Sequence, residues 1–204
     1  MDRRKRKSRQ AILQACIALA KEKEFQHVSV QEIVERADLN RGTFYLHFVD
    51  KVAMMNSFEE EMLSTIKQVL VKNIPTEFSF ETFLQSRYDT IIQILHCYEE
   101  NKELLRFITE AGNSSGFQKK LGENIKEVMS TILQPKLQTV ALPIPMDLVA
   151  MIFTSLSLTL AQYAYQMEEP LDVESHAQFL INIMQHGPMK TLGFLSPEQS
   201  SLNS

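Results

Sequence analysis

The sequence predicts an all-α fold in two parts, a three-helix N-terminal unit built on a helix-turn-helix and a C-terminal helical bundle. Three observations carry this. Apolar residues recur at three- and four-residue spacing through most of the 204 residues, with no strand-like alternation and no repeat. Ser29-Val30-Gln31-Glu32 has the form of a capping box, which starts a helix. Turn-forming residues then fall at intervals that suit helix ends.

Taken in order, the first helix should span about 8–23, with Ile12, Ala15, Cys16, Leu19 and Ala20 on one face. The second starts at Val30, buries Val30, Ile33, Val34 and Ala37, and is barely two turns long. Asp38-Leu39-Asn40 supplies the turn: Asp38 tolerates a left-handed backbone, Leu39 can plug the core, and Asn40 is a good N-cap for a helix from Arg41. Two short helices joined by a three-residue turn read as a helix-turn-helix over about 29–48. A fourth helix, about 52–72, is capped by Asp50 and ends before Pro75, and its Glu59-Glu60-Glu61 cluster reads as a solvated face. Further helices follow near 80–100, 102–111, 117–139, 146–167 and 173–186, separated by Asn101, a Gly/Asn/Ser run at 112–116, Pro143 and Pro145, Pro170, and Gly187-Pro188. Residues 1–52 then form the head, 53–195 the bundle and 196–204 a frayed tail.

Within the head, 41–48 is the segment richest in chemistry. At 100° per residue Phe44 and Phe48 share one side, Gly42, Thr43, Leu46 and His47 the other, and Arg41 and Tyr45 the border. A helix anchored by two Phe residues and offering small, polar and basic groups outward fits a major groove. Charge agrees: residues 1–52 carry 11 Lys/Arg against 7 Asp/Glu, the rest 10 against 18. A basic head on an acidic body points to a polyanion met by the head alone.

Composition narrows the remainder. Hydrophobic residues at 44%, with 6 Gly and 7 Pro, describe a globular chain rather than a disordered or fibrous one. Cys16 and Cys97 are far apart, which favours a reducing compartment, and no apolar run follows the basic start as a secretory signal would. His96-Cys97, His176 and His186 lack metal-ligand spacing, and no nucleophile–base pair or phosphate loop is visible, so the expectation is no metal, no cofactor and no catalysis. The uncharged run 148–167 approaches bilayer length, but Thr, Ser and Gln interrupt it. It reads instead as a helix buried on both sides, by its own bundle and by a second copy of the chain, with Phe179, Leu180, Ile183 and Met184 completing the interface.

The run from Ser29 to Phe48, followed by Lys51, resembles the DNA-binding signature of the TetR family of bacterial transcriptional repressors. The likeness covers about 8–55 and rests on Thr43-Phe44-Tyr45-x-His47-Phe48, the capping residue upstream and the lysine downstream. Beyond it the chain is similar to the family only in size and helical character, while 101–105 and 116–117 resemble a subgroup from Gram-positive bacteria. The resemblance implies that Ser29 and Val30 meet a phosphate, Gln31 and Arg41 reach bases, Gly42 allows close approach, and Thr43 serves a base or a phosphate. It further implies that Tyr45, His47 and Lys51 hold phosphates and that Leu46 touches a thymine methyl. Asp38 departs from the usual Gly and Leu46 from larger or polar groups.

The implied protein is a cytoplasmic bacterial homodimer that binds a palindromic operator and is released by a small-molecule effector. The fourth helix is its lever, and Phe83, Tyr88, Phe107, Phe117, Phe153 and Tyr163 are candidate effector contacts. Two other readings stay open: a co-activator whose bundle binds a protein, and a helical enzyme or carrier with an incidental basic tail.

Overall fold

The computed structural model describes residues 3–74, 80–111, 114–133 and 145–192; the side chains at 80–84, 114–115, 132–133, 146 and 188–189 lie outside the description. Every regular element among the described residues is helical. The helices are α1 (Arg3–Glu22), α2 (Val30–Arg36), α3 (Arg41–Tyr45), α4 (Lys51–Lys72), α5 (Phe80–Glu100), α6 (Lys102–Arg106), α7 (Ser114–Glu127), α8 (Met146–Gln166) and α9 (Val173–Thr191). A 3-10 turn at Phe25–His27 precedes α2, and single π turns prolong α6 over Phe107–Ala111 and α7 over Val128–Leu133.

Three differences from the sequence reading have physical causes. α1 begins at Arg3 rather than near Ser8. The apolar stripe starts late, but Arg and Lys are good helix formers and carry the helix back through the basic arm. α3 closes at Tyr45, although the Phe48 amide still donates to the Phe44 carbonyl at 3.0 Å, so one looser turn completes the expected 41–48 segment. α9 continues past residue 186 through a kink at Gly187, where φ is +75°. The expected end of the seventh helix near 139 and the 196–204 tail lie outside the described residues.

Local capping fixes the head. Ser29 accepts from the Glu32 amide while the Glu32 carboxylate accepts from the Ser29 amide, closing the capping box on α2. At the other end the Leu39 amide donates to the Val34 carbonyl and the Asp38 amide to that of Glu35. Asp38 is left-handed at φ +53°. This is a Schellman ending with Leu39 folded onto the core, and it turns the chain sharply enough to start α3. Asn40 Oδ1 then accepts from the Thr43 amide at 2.8 Å and Asp50 Oδ1 from the Ala53 amide at 2.7 Å, starting α3 and α4.

The head core gathers Ile12, Cys16, Ile17, Phe25, Ile33, Val34, Phe44 and Phe48, together with Met54 and Phe58 of α4 and Phe107 from beyond α6. The body core begins on the same helix with Met62, Leu63 and Ile66, and adds Tyr98, Leu105, Ile108, Phe117 and Leu121. α4 therefore changes cores between Phe58 and Met62. Glu59 lies at the change: it is 3% exposed and accepts from Lys120 Nζ of α7 at 2.9 Å. The solvated-face reading of the acidic cluster is thus corrected for Glu59, whose position four residues after Met55 and three before Met62 places it on the apolar stripe. Glu61 pairs with Arg9 of α1 at 2.5 Å.

In the body, α5 packs on α4, α8 and α9, while α7 packs on α4 and α8. α8 turns Ala150, Thr154, Ala161 and Ala164 inward and leaves Met151 at 66% and Ile152 at 54% exposure. By length and composition its segment Asp147–Gln166 could cross a bilayer.

Candidate nucleic-acid interface

The short α3 can present its outer face because its inner face is secured. Phe44 is fully buried and Phe48 nearly so, their rings 5.6 Å apart, and Phe48 in turn meets Phe58 of α4 edge-on. Opposite them Arg41, Gly42, Tyr45 and Leu46 are exposed, Tyr45 at 49% and Leu46 at 74%, and Thr43 is half-buried. Thr43 Oγ1 donates to Asn40 Oδ1 at 3.1 Å, which leaves its oxygen as an acceptor. A Cβ at position 42 would lie 3.2 Å from that same Asn40 oxygen, so Gly42 keeps the cap uncrowded as well as the surface low.

α2 contributes less freely. Ser29 and Gln31 are exposed and Val30 half-buried, but Gln31 Nε2 already donates to Glu35 Oε1 at 2.5 Å. The α2 N-terminus is already filled by the Glu32 carboxylate, which Lys23 and the Ser29 donors hold at a pKa of about 2. A phosphate arriving there meets that charge as well as the helix dipole.

His47 and Lys51 are held from within. His47 Nε2 lies 2.7 Å from Ser8 Oγ, which ties α1 to the end of the recognition segment. Burial, with Arg9 and Lys5 nearby, pulls the imidazole pKa below its ordinary range, which favours its uncharged form. Lys51 Nζ donates to the carbonyls of Phe25, Gln26 and Val28 at 2.9, 3.0 and 2.8 Å and sits over the Phe25 ring. All three of its protons are used inside the head, so here it clamps the 3-10 turn instead of reaching outward for a phosphate. Arg9 is likewise committed, stacked on Phe48 and Phe58 beside Glu61. Exposed cations of the head include Arg3, Lys5, Arg6 and Lys7 at the start of α1 and Arg41 on α3. Ser8 and Arg9 were missed as site residues because their partners lie 39 and 52 positions away.

The body holds a cavity of about 230 Å³ between α4, α5, α7, α8 and α9, with Leu70, Ile91, Ile94, Met129 and Leu160 in its walls. Of the six aromatic candidates, Phe153 lines it. Tyr88 packs between α5 and α9, and Phe117 fills the body core. Tyr163 is exposed with its hydroxyl 3.1 Å from His176 Nε2, and the Phe83 side chain lies outside the described residues. Phe107 belongs to the head core, edge-on to Phe25 at 4.8 Å and 89°. The cavity walls are mostly aliphatic, and no pattern in the sequence separates a core Ile from one beside a void.

The profile of bacterial regulatory proteins of the tetR family matches residues 12–58, the head with the start of α4. The head of this chain is similar to the DNA-binding part of TetR-family regulators. An HTH-type transcriptional regulator of Bacillus subtilis, YxbF, is 27% identical over 110 residues, a match that spans 53% of this chain and 28% of that relative. Among solved structures, a TetR-family regulator from Syntrophomonas wolfei superposes with a TM-score of 0.67 at 18% identity, covering 94% of this chain and 98% of the other. NalD of Pseudomonas aeruginosa, the secondary repressor of the MexAB-OprM multidrug efflux pump, gives 0.63 at 19%, covering 89% and 96%. At such identities the likeness establishes the fold: a TetR-type head on a helical body.

Proposed function

We propose that this chain is a sequence-specific DNA-binding transcriptional regulator, a homodimer that represses from a palindromic operator and is released by an effector in the body. The observation that carries this reading is the outer face of α3. Arg41, Gly42, Tyr45 and Leu46 stand exposed, with Thr43 half-buried among them, on a helix pinned by Phe44 and Phe48, beside the basic start of α1. Arg41 is suited to guanine and Leu46 to a thymine methyl. Thr43, Tyr45 and the His47 imidazole suit phosphate oxygens or bases as neutral hydrogen-bonding groups, and Gln31 reads a base once it lets go of Glu35. Residues 1–52 read the DNA, and 53–195 dimerise and receive the effector.

Dimerisation is supported by the apolar face that α8 and α9 leave uncovered, with Leu148, Met151, Ile152 and Phe179 exposed. Two copies joined there hold two recognition helices for half-sites one turn apart, about 34–36 Å. The repressor sign follows NalD's description and the body's cavity, and the buried free thiols of Cys16 and Cys97 suit the cytoplasm.

Selection of bound sequences from a random duplex pool tests the reading. The expected product is a palindrome with half-sites one turn apart, retained with a steep loss of affinity as salt rises. Selected sequences without dyad symmetry would overturn the homodimer. Binding that needs a second protein would favour the co-activator reading, and no enrichment at all would return the chain to a helical carrier.

A further inference from the structure

The polar groups in the wall of the body cavity are engaged inside the protein. The described lining consists of Ile, Leu, Val, Met and Phe side chains, interrupted by Ser86, Arg87, Thr90 and Ser157. Ser86 donates to the Asn73 carbonyl, Thr90 donates to the Ser86 carbonyl at 2.7 Å, and Ser157 shares a hydrogen bond with Tyr98. Arg87 likewise has a partner within the protein. No acidic residue lies among the described lining residues.

A charged guest loses its hydration on entry, and in this wall an anion must break an existing contact to regain a partner. A cation meets no carboxylate. Water is held poorly for the same reason, because a buried water needs two to four polar partners. A neutral apolar guest meets neither obstacle and gains dispersion contacts with the wall. The volume sets its size. An apolar cavity of about 150 Å³ holds a benzene ring, so about 230 Å³ holds about nine non-hydrogen atoms. Met129, Met184 and Phe153 supply sulfur–ring and ring–ring contacts, which suit an aromatic guest.

We propose that the cavity takes a small neutral apolar molecule, a single aromatic ring with a short alkyl substituent, held among Ile91, Ile94, Met129 and Leu160. This deepens the effector reading above and rests on it for its regulatory meaning, while binding itself is separately measurable.

The test is calorimetric titration of the full-length protein with ethylbenzene and with two charged molecules of nearly the same shape, benzylamine and sodium benzoate, at neutral pH. Ethylbenzene is expected to bind, and both ions to bind at least about 100-fold more weakly, because each must bury a charge. Ile94→Phe fills the cavity and should abolish ethylbenzene binding. Leu160→Ala enlarges it and should shift the preference from ethylbenzene toward butylbenzene by about tenfold, since two further methylenes gain a place in the wall. If Ile94→Phe fails to fold, Leu160→Ala alone decides. No binding of ethylbenzene, either ion binding as tightly as ethylbenzene, ethylbenzene unaffected by Ile94→Phe, or an unchanged preference in Leu160→Ala would each overturn the proposal. Benzoate bound in the cavity and weakening operator binding discards the neutral guest and spares the effector reading. Ethylbenzene bound there with operator affinity unchanged does the reverse.

Discussion

The head closes around Ile12, Cys16, Ile33, Phe44 and Met54, none of them measurably exposed, whereas the body packs Leu105, Ile108 and Tyr98 equally tightly and still keeps about 230 Å³ open a few residues away. Both are helical packings and they share α4, so under the proposed function the contrast is one of use rather than of material. A surface that must match a groove to within a fraction of an ångström benefits from a core with one arrangement. A receptor benefits from walls that repack around a guest. Dense packing near 0.74 resists continuous deformation, and a void supplies the second arrangement that a switch requires.

Truncations on either side test this contrast most strongly. Phe44→Ala should cost about 3–5 kcal/mol and remove DNA retention, because nothing in the closed head can relax into the hole. Leu160→Ala, beside an existing void, should cost about 2 kcal/mol, at the low end for its type. Equal losses in urea denaturation would erase the distinction between the two regions. Phe107→Ala tests their join: Phe107 belongs by sequence to the body but seats against Phe25 in the head core. A cost of about 3 kcal/mol is expected, with operator affinity lost before the body unfolds as followed by near-ultraviolet dichroism.

Two smaller effects belong to the head alone. Asp38→Gly relieves a left-handed non-glycine residue and should raise stability by about 1 kcal/mol in thermal denaturation. For His47 the sign follows from its lowered pKa. The unfolded chain binds the proton first, so stability is flat above about pH 6.5 and falls as pH drops through the lower folded value. His47→Gln should abolish that part of the decline below about pH 6.5, and an unchanged slope would show that the imidazole is solvated in the folded protein.

What the sequence revealed and concealed follows the same division. The Ser29 capping box, the left-handed Asp38, the Asn40 and Asp50 caps and the inward Phe44 and Phe48 are local, each decided within about four residues, and each was legible. Lys51 on three carbonyls of the 3-10 turn, Arg9 on Glu61, Glu59 on Lys120 and Phe107 in the head core join residues 23 to 82 positions apart, and nothing local announces them. Large aromatic residues were the natural choice for effector contacts, but large groups mostly complete cores. The open space fell between Ile, Leu and Met side chains, whose spacing is that of any buried helix.

The place of Glu59 along α4 has a mechanical consequence. The helix is clamped at Lys51, fastened to α7 near its middle and enters the cavity wall at Leu70. At 1.5 Å per residue these points lie about 12 Å on one side of the Glu59–Lys120 pair and about 16 Å on the other. Turned about that fulcrum, the short arm is on the DNA side, so a displacement of about 1 Å at the cavity arrives as about 0.7 Å at the head. Under the proposed function such a rod would deliver less travel than it receives and correspondingly more force, a gearing suited to shifting a tightly packed head as one piece.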